Sequence, residues 1–420
     1  MPVRRPFAML VPLLGIALAV MSATPAQAQV LGPVQGLPNV QVPGGGLPGV
    51  VPASPLRNMP LRNMDDLLRG PLALTRKLQI DALRRSEPRR VDIDPHGAPI
   101  LRSEFLAMGL SEAQLDAVRA LGFSVNRATP ADATLGLNFM VLHDTRSRST
   151  ARAMRALQRA APDATFTYQH LFLPAGHADV ANATSSATPP SGAPARRVGL
   201  VDGGVDPADP ALARARIEQH GCQAATVSRH GTAVAARLVG GDPDTLYAAD
   251  LWCGDAVGGA TSSLVDALAW MARERVAVIN ISLVGPDNPV LARAVQAMIA
   301  RGHVLVSAVG NDGPAAPPLF PAAYPGVIGV SGVDARDRVL PESGSGEQVD
   351  FCASGVVGSG RDALRGTSFA APIAARKAAQ LLDAPREGAA AQVQQQLIDA
   401  ARPLGAPGHD PRYGYGLLSP

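Results

Sequence analysis

Val198-Gly199-Leu200-Val201-Asp202-Gly203-Gly204-Val205 is a short apolar run that stops on an acid and two glycines. An unbroken apolar run cannot alternate between core and water, so it predicts a strand buried on both faces. The glycine pair lets the chain turn sharply beyond it. The same form returns at Leu246-Tyr247-Ala248-Ala249, Val276-Ala277-Val278-Ile279, His303-Val304-Leu305-Val306 and Val327-Ile328-Gly329-Val330. Helical patterns over 263–274 and 288–301 lie between these runs. The alternation predicts an α/β domain over 197–420, with a mostly parallel sheet sandwiched by helices.

In such sheets the reactive groups collect at the carboxyl ends of strands. Polar residues placed just after apolar runs are therefore the ones to inspect. Besides Asp202, three segments qualify: Arg229-His230-Gly231-Thr232, Ala308-Val309-Gly310-Asn311-Asp312-Gly313 and Arg365-Gly366-Thr367-Ser368-Phe369-Ala370-Ala371-Pro372. A serine hydroxyl is a poor nucleophile at neutral pH; acyl transfer needs an imidazole to take its proton and a carboxylate to orient that imidazole. Ser368, His230 and Asp202 supply one of each, and the Asn311 side-chain amide is placed to donate to a developing oxyanion. Ser368 is expected to open a helix, with its backbone N–H beside Asn311 and Pro372 in the first turn, where a missing N–H costs little. Asp206 and Asp312 read as turn formers beside these positions.

Taken together, in the order Asp, His, Asn, Ser, these segments resemble the signature of the subtilisin family of serine proteases over about 197–420. Asn280-Ile281-Ser282-Leu283-Val284-Gly285-Pro286 resembles that family's substrate-binding strand, and Arg412-Tyr413-Gly414-Tyr415-Gly416-Leu417 its closing segment. The resemblance implies a serine endopeptidase acting on protein or peptide substrates. It implies catalytic roles for Asp202, His230 and Ser368, an oxyanion hole at Asn311, and substrate contacts from Ser282, Leu283, Val284, Gly285 and Gly310. The chain departs from the pattern at Gly203, Ala233 and Phe369, none of which removes a catalytic group. Val284 stands where glycine is frequent, so its branched side chain is expected to narrow a subsite. A hydrolase of esters or lipids would place its serine in a Gly-x-Ser-x-Gly elbow, which Ser368 lacks.

Upstream, a compact α+β pattern covers 91–175. Ser111 and Gln114 form a capping box before Leu115, Val118 and Leu121, with Gly122 as the stop; a second helix starts near Ser149 and ends at Pro162. Phe139-Met140-Val141-Leu142 and the alternating Phe166, Tyr168, His170 and Phe172 read as strands, and the order suits a small ferredoxin-like, split βαβ domain. By that order it resembles the inhibitory propeptide of subtilisins. The resemblance implies an intramolecular inhibitor whose tail, Leu171-Phe172-Leu173-Pro174-Ala175-Gly176 or the residues just after it, lies in the cleft until cleavage. Residues 176–196, rich in Ala, Ser, Thr, Pro and Gly, read as a linker with the processing site. His143, His170 and His177 are assigned surface or packing roles.

Residues 29–90 read as a Pro/Gly-rich linker and basic segment, with a pentad at 55–59 repeated at 60–64. Arg4 and Arg5 before an apolar run from Ala8 to Val20, closed by Ala26-Gln27-Ala28, predict a cleaved export signal over 1–28 and a periplasmic or extracellular destination. No later segment is apolar enough to span a membrane once that signal is removed. A net charge of +3 with scattered basic residues argues against nucleic-acid binding. No cofactor or metal is called for, and Asp242 and Asp244 read as a solvated turn. An exported protein can pair two of Cys222, Cys253 and Cys352 and leave one buried thiol; three unpaired core residues are the alternative.

Overall fold

The computed structural model describes residues 61–68, 75–127, 134–176, 195–224, 226–358 and 363–420. The export signal over 1–28, the linker up to residue 60 and most of the segment 176–196 lie outside them.

A 3-10 turn, Met64–Leu68, and helix α1, Arg76–Ser86, come first, within the stretch expected to be linker. That expectation is corrected here: Met64, Leu67 and Leu68 are buried, and Ile80 and Leu83 turn the apolar side of α1 inward. The reason is tertiary, because each of these side chains packs on residues far downstream in the chain.

Next come β1 (Val91–Ile93), β2 (Pro99–Met108), α2 (Glu112–Ala120), β3 (Phe123–Arg127), β4 (Phe139–Asp144), α3 (Thr150–Ala160) and β5 (Thr165–His170). They form an antiparallel sheet in the order β3-β4-β2-β5, with β1 paired to the first residues of β2. This strand order, with two helical crossovers, is that of a split βαβ unit. The Ser111–Gln114 capping box forms as expected, each side chain bonding the other residue's N–H. One sheet face carries Phe105, Phe123 and Leu142 against Val118, Met154 and Leu157 of the helices. The other sends Leu106, Met108 and Phe139 into an apolar cluster with Leu264, Val265 and Leu268 of the larger domain.

After β6 (Leu173–Pro174) the larger domain runs β7 (Arg197–Asp202), β8 (Arg216–His220), α4 (Arg229–Val239), β9 (Thr245–Asp250), α5 (Thr261–Arg273), β10 (Val278–Ile281) and β11 (Leu283–Val284). It continues with α6 (Pro289–Ala300), β12 (Val304–Ala308), β13 (Ile328–Val333), β14 (Phe351–Ser354), β15 (Val356–Val357), β16 (Leu364–Arg365), α7 (Thr367–Ala379), α8 (Ala389–Ala400) and β17 (Leu417–Leu418). Eight strands pair in parallel in the order β17-β14-β13-β12-β10-β7-β9-β8. Their residues feed two cores: Val198, Leu200, Val278, Val304 and Val306 meet α4 and α7, while Val201, Ile279, Ile281 and Leu305 meet α5 and α6. The domain is thus a parallel sheet between helices, the subtilisin-like arrangement. β8 is half exposed and β14 and β17 are short, so none of the three offers an apolar run of the kind that marks the others.

Two local expectations are corrected. Asp242 and Asp244 do not lie in a solvated turn; both are fully buried, the Arg196 guanidinium reaching Asp242 at 2.6 Å and Asp244 at 3.0 Å, with Arg376 3.0 Å from Asp242. Pro372 sits not in the first turn of α7 but in its second, so the Ser368 carbonyl loses its helical donor. The Ser282 hydroxyl donates to that carbonyl instead, at 3.4 Å. Cys222 and Cys253 form a disulfide, and Cys352 is the buried thiol, its pKa pushed up to about 12 by burial.

Candidate active site

β7 ends on Asp202, fully buried at the carboxyl edge of the sheet. Its Oδ1 accepts from the Gly203 N–H at 2.6 Å and lies 2.8 Å from Nδ1 of His230. His230 is the second residue of α4, whose N-cap Ser228 accepts from the Gly231 N–H. Gly231 is required here: a Cβ would fall 2.4 Å from the Gly203 carbonyl oxygen, so only glycine lets this helix approach the end of β7 closely enough for the contact. Burial pushes the Asp202 carboxyl above the usual range, opposed by His230 and the Gly203 N–H, with the negative charge of Asp65 adding to the rise.

Asp65 had no place in the sequence reading. Its carboxylate accepts from the Ser228 hydroxyl at 2.7 Å, the Arg229 N–H at 2.9 Å and the His230 N–H at 3.4 Å. It therefore covers the positive end of the very helix that presents His230. Asp312, expected to form only a turn, pairs with Arg76 of α1 at 2.9 Å. The N-terminal segment thus touches both flanks of the site.

Ser368, the second residue of α7, is fully buried, and its hydroxyl donates to the Ser282 carbonyl at 3.1 Å. His230 Nε2 makes no hydrogen bond, so the Asp–His link is formed and the His–Ser link is not. Asn311 Oδ1 accepts from the Thr367 N–H at 3.0 Å and its hydroxyl at 3.2 Å, which fixes the amide and leaves Nδ2 buried without a partner.

The same space holds the end of the smaller domain. β6 pairs antiparallel with β11, placing Pro174 opposite Leu283 and Leu173 opposite Val284. The Ala175 N–H donates to the Ser282 carbonyl at 3.2 Å, and the Ala175 carbonyl accepts from the Ser368 N–H at 2.9 Å. A Cβ at Gly366 would lie 2.8 Å from Asn311 Nδ2 and 3.0 Å from the Ala175 oxygen, so both face one small space. A Cβ at Gly176 would lie 2.7 Å from His230 Nε2. Ser282, Leu283 and Val284 thus border the 173–175 segment, while Gly285 and Gly310 lie at the two ends of that border. Of the histidines assigned to packing or surface, His143 is exposed, His177 is outside the described residues, and His170 is buried between the domains, 3.2 Å from Asp94 and 3.0 Å from the Asn288 amide. Among the described residues no cluster of ligands could hold a metal ion, and no helix is long and apolar enough to cross a membrane.

Comparison with known proteins gives the same picture. Subtilisin DY of Bacillus licheniformis is 33% identical over 171 residues, 38% of this chain and 61% of its own length. Subtilisin of Bacillus pumilus is 31% identical over 213 residues, 46% of this chain and 76% of its own. The minor extracellular protease Epr of Bacillus subtilis (strain 168) is 31% identical, but the chain spans only 26% of its length. Among solved structures, fervidolysin from Fervidobacterium pennivorans, a keratinolytic enzyme related to subtilisin, matches with a TM-score of 0.61 over 76% of this chain and 60% of that one, at 17% identity, a likeness of fold. The model of the subtilase family, Peptidase_S8, matches residues 195–416, more than half of the chain, and the chain belongs to that family.

Proposed function

We propose that this chain is an exported serine endopeptidase made as a precursor that cuts itself between Ala175 and Gly176. One observation carries the reading: the Ala175 carbonyl lies on the Ser368 N–H while Gly176 stands against His230 Nε2. That is the disposition of an acyl carbonyl and a leaving amine.

The chemistry follows from the side chains present. A rotation of the Ser368 hydroxyl from the Ser282 carbonyl to His230 Nε2 completes the relay. His230 takes the proton as Ser368 Oγ attacks the Ala175 carbonyl carbon, and Asp202 holds the imidazolium through Nδ1–H. The oxyanion is met by the Ser368 N–H and by Asn311 Nδ2, which has no other bond to give up. The Gly176 nitrogen leaves with the proton from His230. Water, deprotonated by the same imidazole, then releases Ala175 as a carboxylic acid and restores Ser368. Residues 91–175 remain as an inhibitor whose last strand fills the cleft, and peptides that later take its place are cut the same way.

N-terminal sequencing and intact mass of purified protein test this. Wild type should yield a new terminus at Gly176, and Ser368→Ala should stay whole and lose about 10⁶-fold in peptide turnover, the scale known for removal of a subtilisin nucleophile. Processing of purified Ser368→Ala at the same bond would sink the self-cleavage reading.

A further inference from the structure

The residues that bound the 172–175 segment also set what the cleft accepts, an inference that rests on the proposed protease reading. Ala175, the residue whose carbonyl would be attacked, packs its methyl into an apolar cluster with Val284 and Leu319. Both are buried, and a Cβ at Gly310 would lie 2.7 Å from Leu319 Cδ1 and 3.6 Å from Val284 Cγ1, so the two side chains close the turn that leads into Asn311. The space left beside Pro174, Ala175 and Val284 amounts to about 10 Å³. That is room for one water at most and for no further side-chain atoms.

Three residues earlier the situation is reversed. Phe172 is fully buried, and its ring occupies the room that a side chain at position 285 would need: a Cβ on Gly285 would fall 2.6 Å from Phe172 Cδ1. On the other side, the Phe172 N–H donates to the Gly259 carbonyl at 2.8 Å, and Trp252 joins the same apolar cluster. Leu173 points the opposite way, against Ile80 and Leu83 of α1, residues that lie before the cut and so leave with the N-terminal portion.

We infer that the cleft selects a small residue, alanine or smaller, immediately before the scissile bond and a large apolar or aromatic residue at the fourth position before it, with Val284 and Leu319 enforcing the first choice and Gly285 permitting the second. The third position before the bond is read by nothing in the larger domain.

Self-processed enzyme, counted by fluorophosphonate labelling of its active serine, is assayed on acetyl-Phe-Leu-Pro-X chromogenic amides. X = Ala should exceed X = Phe or Lys in kcat/KM by at least about 100-fold, since a filled pocket cannot take a larger side chain. Replacing the leading Phe by Ala should cost about 30- to 100-fold through lost apolar burial, and replacing Leu by Ala should cost less than about 3-fold. Leu319→Gly and Val284→Gly together should shrink the Ala-over-Phe ratio by about tenfold or more. Gly285→Val should abolish the preference for Phe at the fourth position. The wild-type ranking decides even if a variant does not fold. Labelled enzyme that cuts after Phe as readily as after Ala, or ignores the fourth position, overturns this inference and leaves the protease reading intact. Protein that neither labels nor cuts any peptide overturns both.

Discussion

Replacing Asp65 by alanine should destabilise the uncut precursor by about 3 kcal/mol, a large effect for a residue outside the smaller and the larger domain alike. Its carboxylate, 6% exposed, accepts from the Ser228 hydroxyl and from two N–H groups at the start of α4. Loss of a helix cap costs about 1 kcal/mol, and loss of a partly buried charge at a helix N-terminus adds up to about 2. Orphaning the buried Ser228 hydroxyl adds about 1 more, while relief of the repulsion that Asp65 exerts on Asp202 works the other way. Asp65→Asn keeps an acceptor and loses the charge, so it should fall roughly midway. The assay is urea unfolding of the Ser368→Ala precursor with and without each change, reading the first transition. A loss below about 0.5 kcal/mol, within the range of ordinary surface changes, would refute the capping argument. Because Asp65 precedes the proposed cut, the variant should mature more slowly, yet its mature form should turn over peptides at the wild-type rate.

Asn311→Ala should leave binding largely intact and lower kcat by about 10²- to 10³-fold, the loss known for the oxyanion asparagine of subtilisin; a change confined to KM would remove Asn311 from that role. Asp350 is a pH-sensitive liability: burial raises its carboxyl from 3.8 to about 6, despite the Gly329 N–H and Gln394 amide that oppose the rise. Below pH 4 both folded and unfolded states hold the proton; between pH 4 and 6 only the unfolded state releases it, so this group's contribution to stability falls as pH rises, by about 3 kcal/mol in all. In urea melts from pH 4 to 7, Asp350→Asn should gain on the parent as pH rises, and parallel curves would count against the assignment.

How much of this was legible in the sequence depends on whether a feature is local. Asp202, His230, Asn311 and Ser368 each sit in a short segment of unusual composition directly after a strand or at a helix start, so their chemistry is written beside them. The same locality explains why the Ser111–Gln114 cap and the helices ending before Gly122 and Pro162 were readable. The misreadings share the opposite property. Asp242 and Asp244 look like turn residues because nothing nearby shows that Arg196 and Arg376, tens to more than a hundred positions away, will close over them. Asp65 caps a helix 163 residues downstream, and no pattern in the 29–90 stretch could announce it. Pro372 was placed a turn too early because the Ser282 hydroxyl, which serves the Ser368 carbonyl that the proline leaves bare, is itself a distant residue.

These distant contacts bear on how activation would proceed. Met64, Leu67 and Leu68 are buried at 2% exposure or less, and full burial of such side chains contributes about 1.5–3 kcal/mol each. With Asp65 on α4 and Arg76 on Asp312, the N-terminal segment grips the larger domain on both sides of the cut bond independently of β6. On the proposed reading, hydrolysis at Ala175–Gly176 turns a tethered inhibitor into a separate chain but breaks none of these contacts. The effective concentration conferred by the tether is lost, while the affinity of the complex is not. Release therefore calls for a second cut within the N-terminal portion. The cleft's demand for a small residue after a large apolar one would make that cut slow and selective. A lag between the appearance of the Gly176 terminus and the onset of peptide turnover, shortened by Asp65→Ala, is the kinetic signature this mechanism requires.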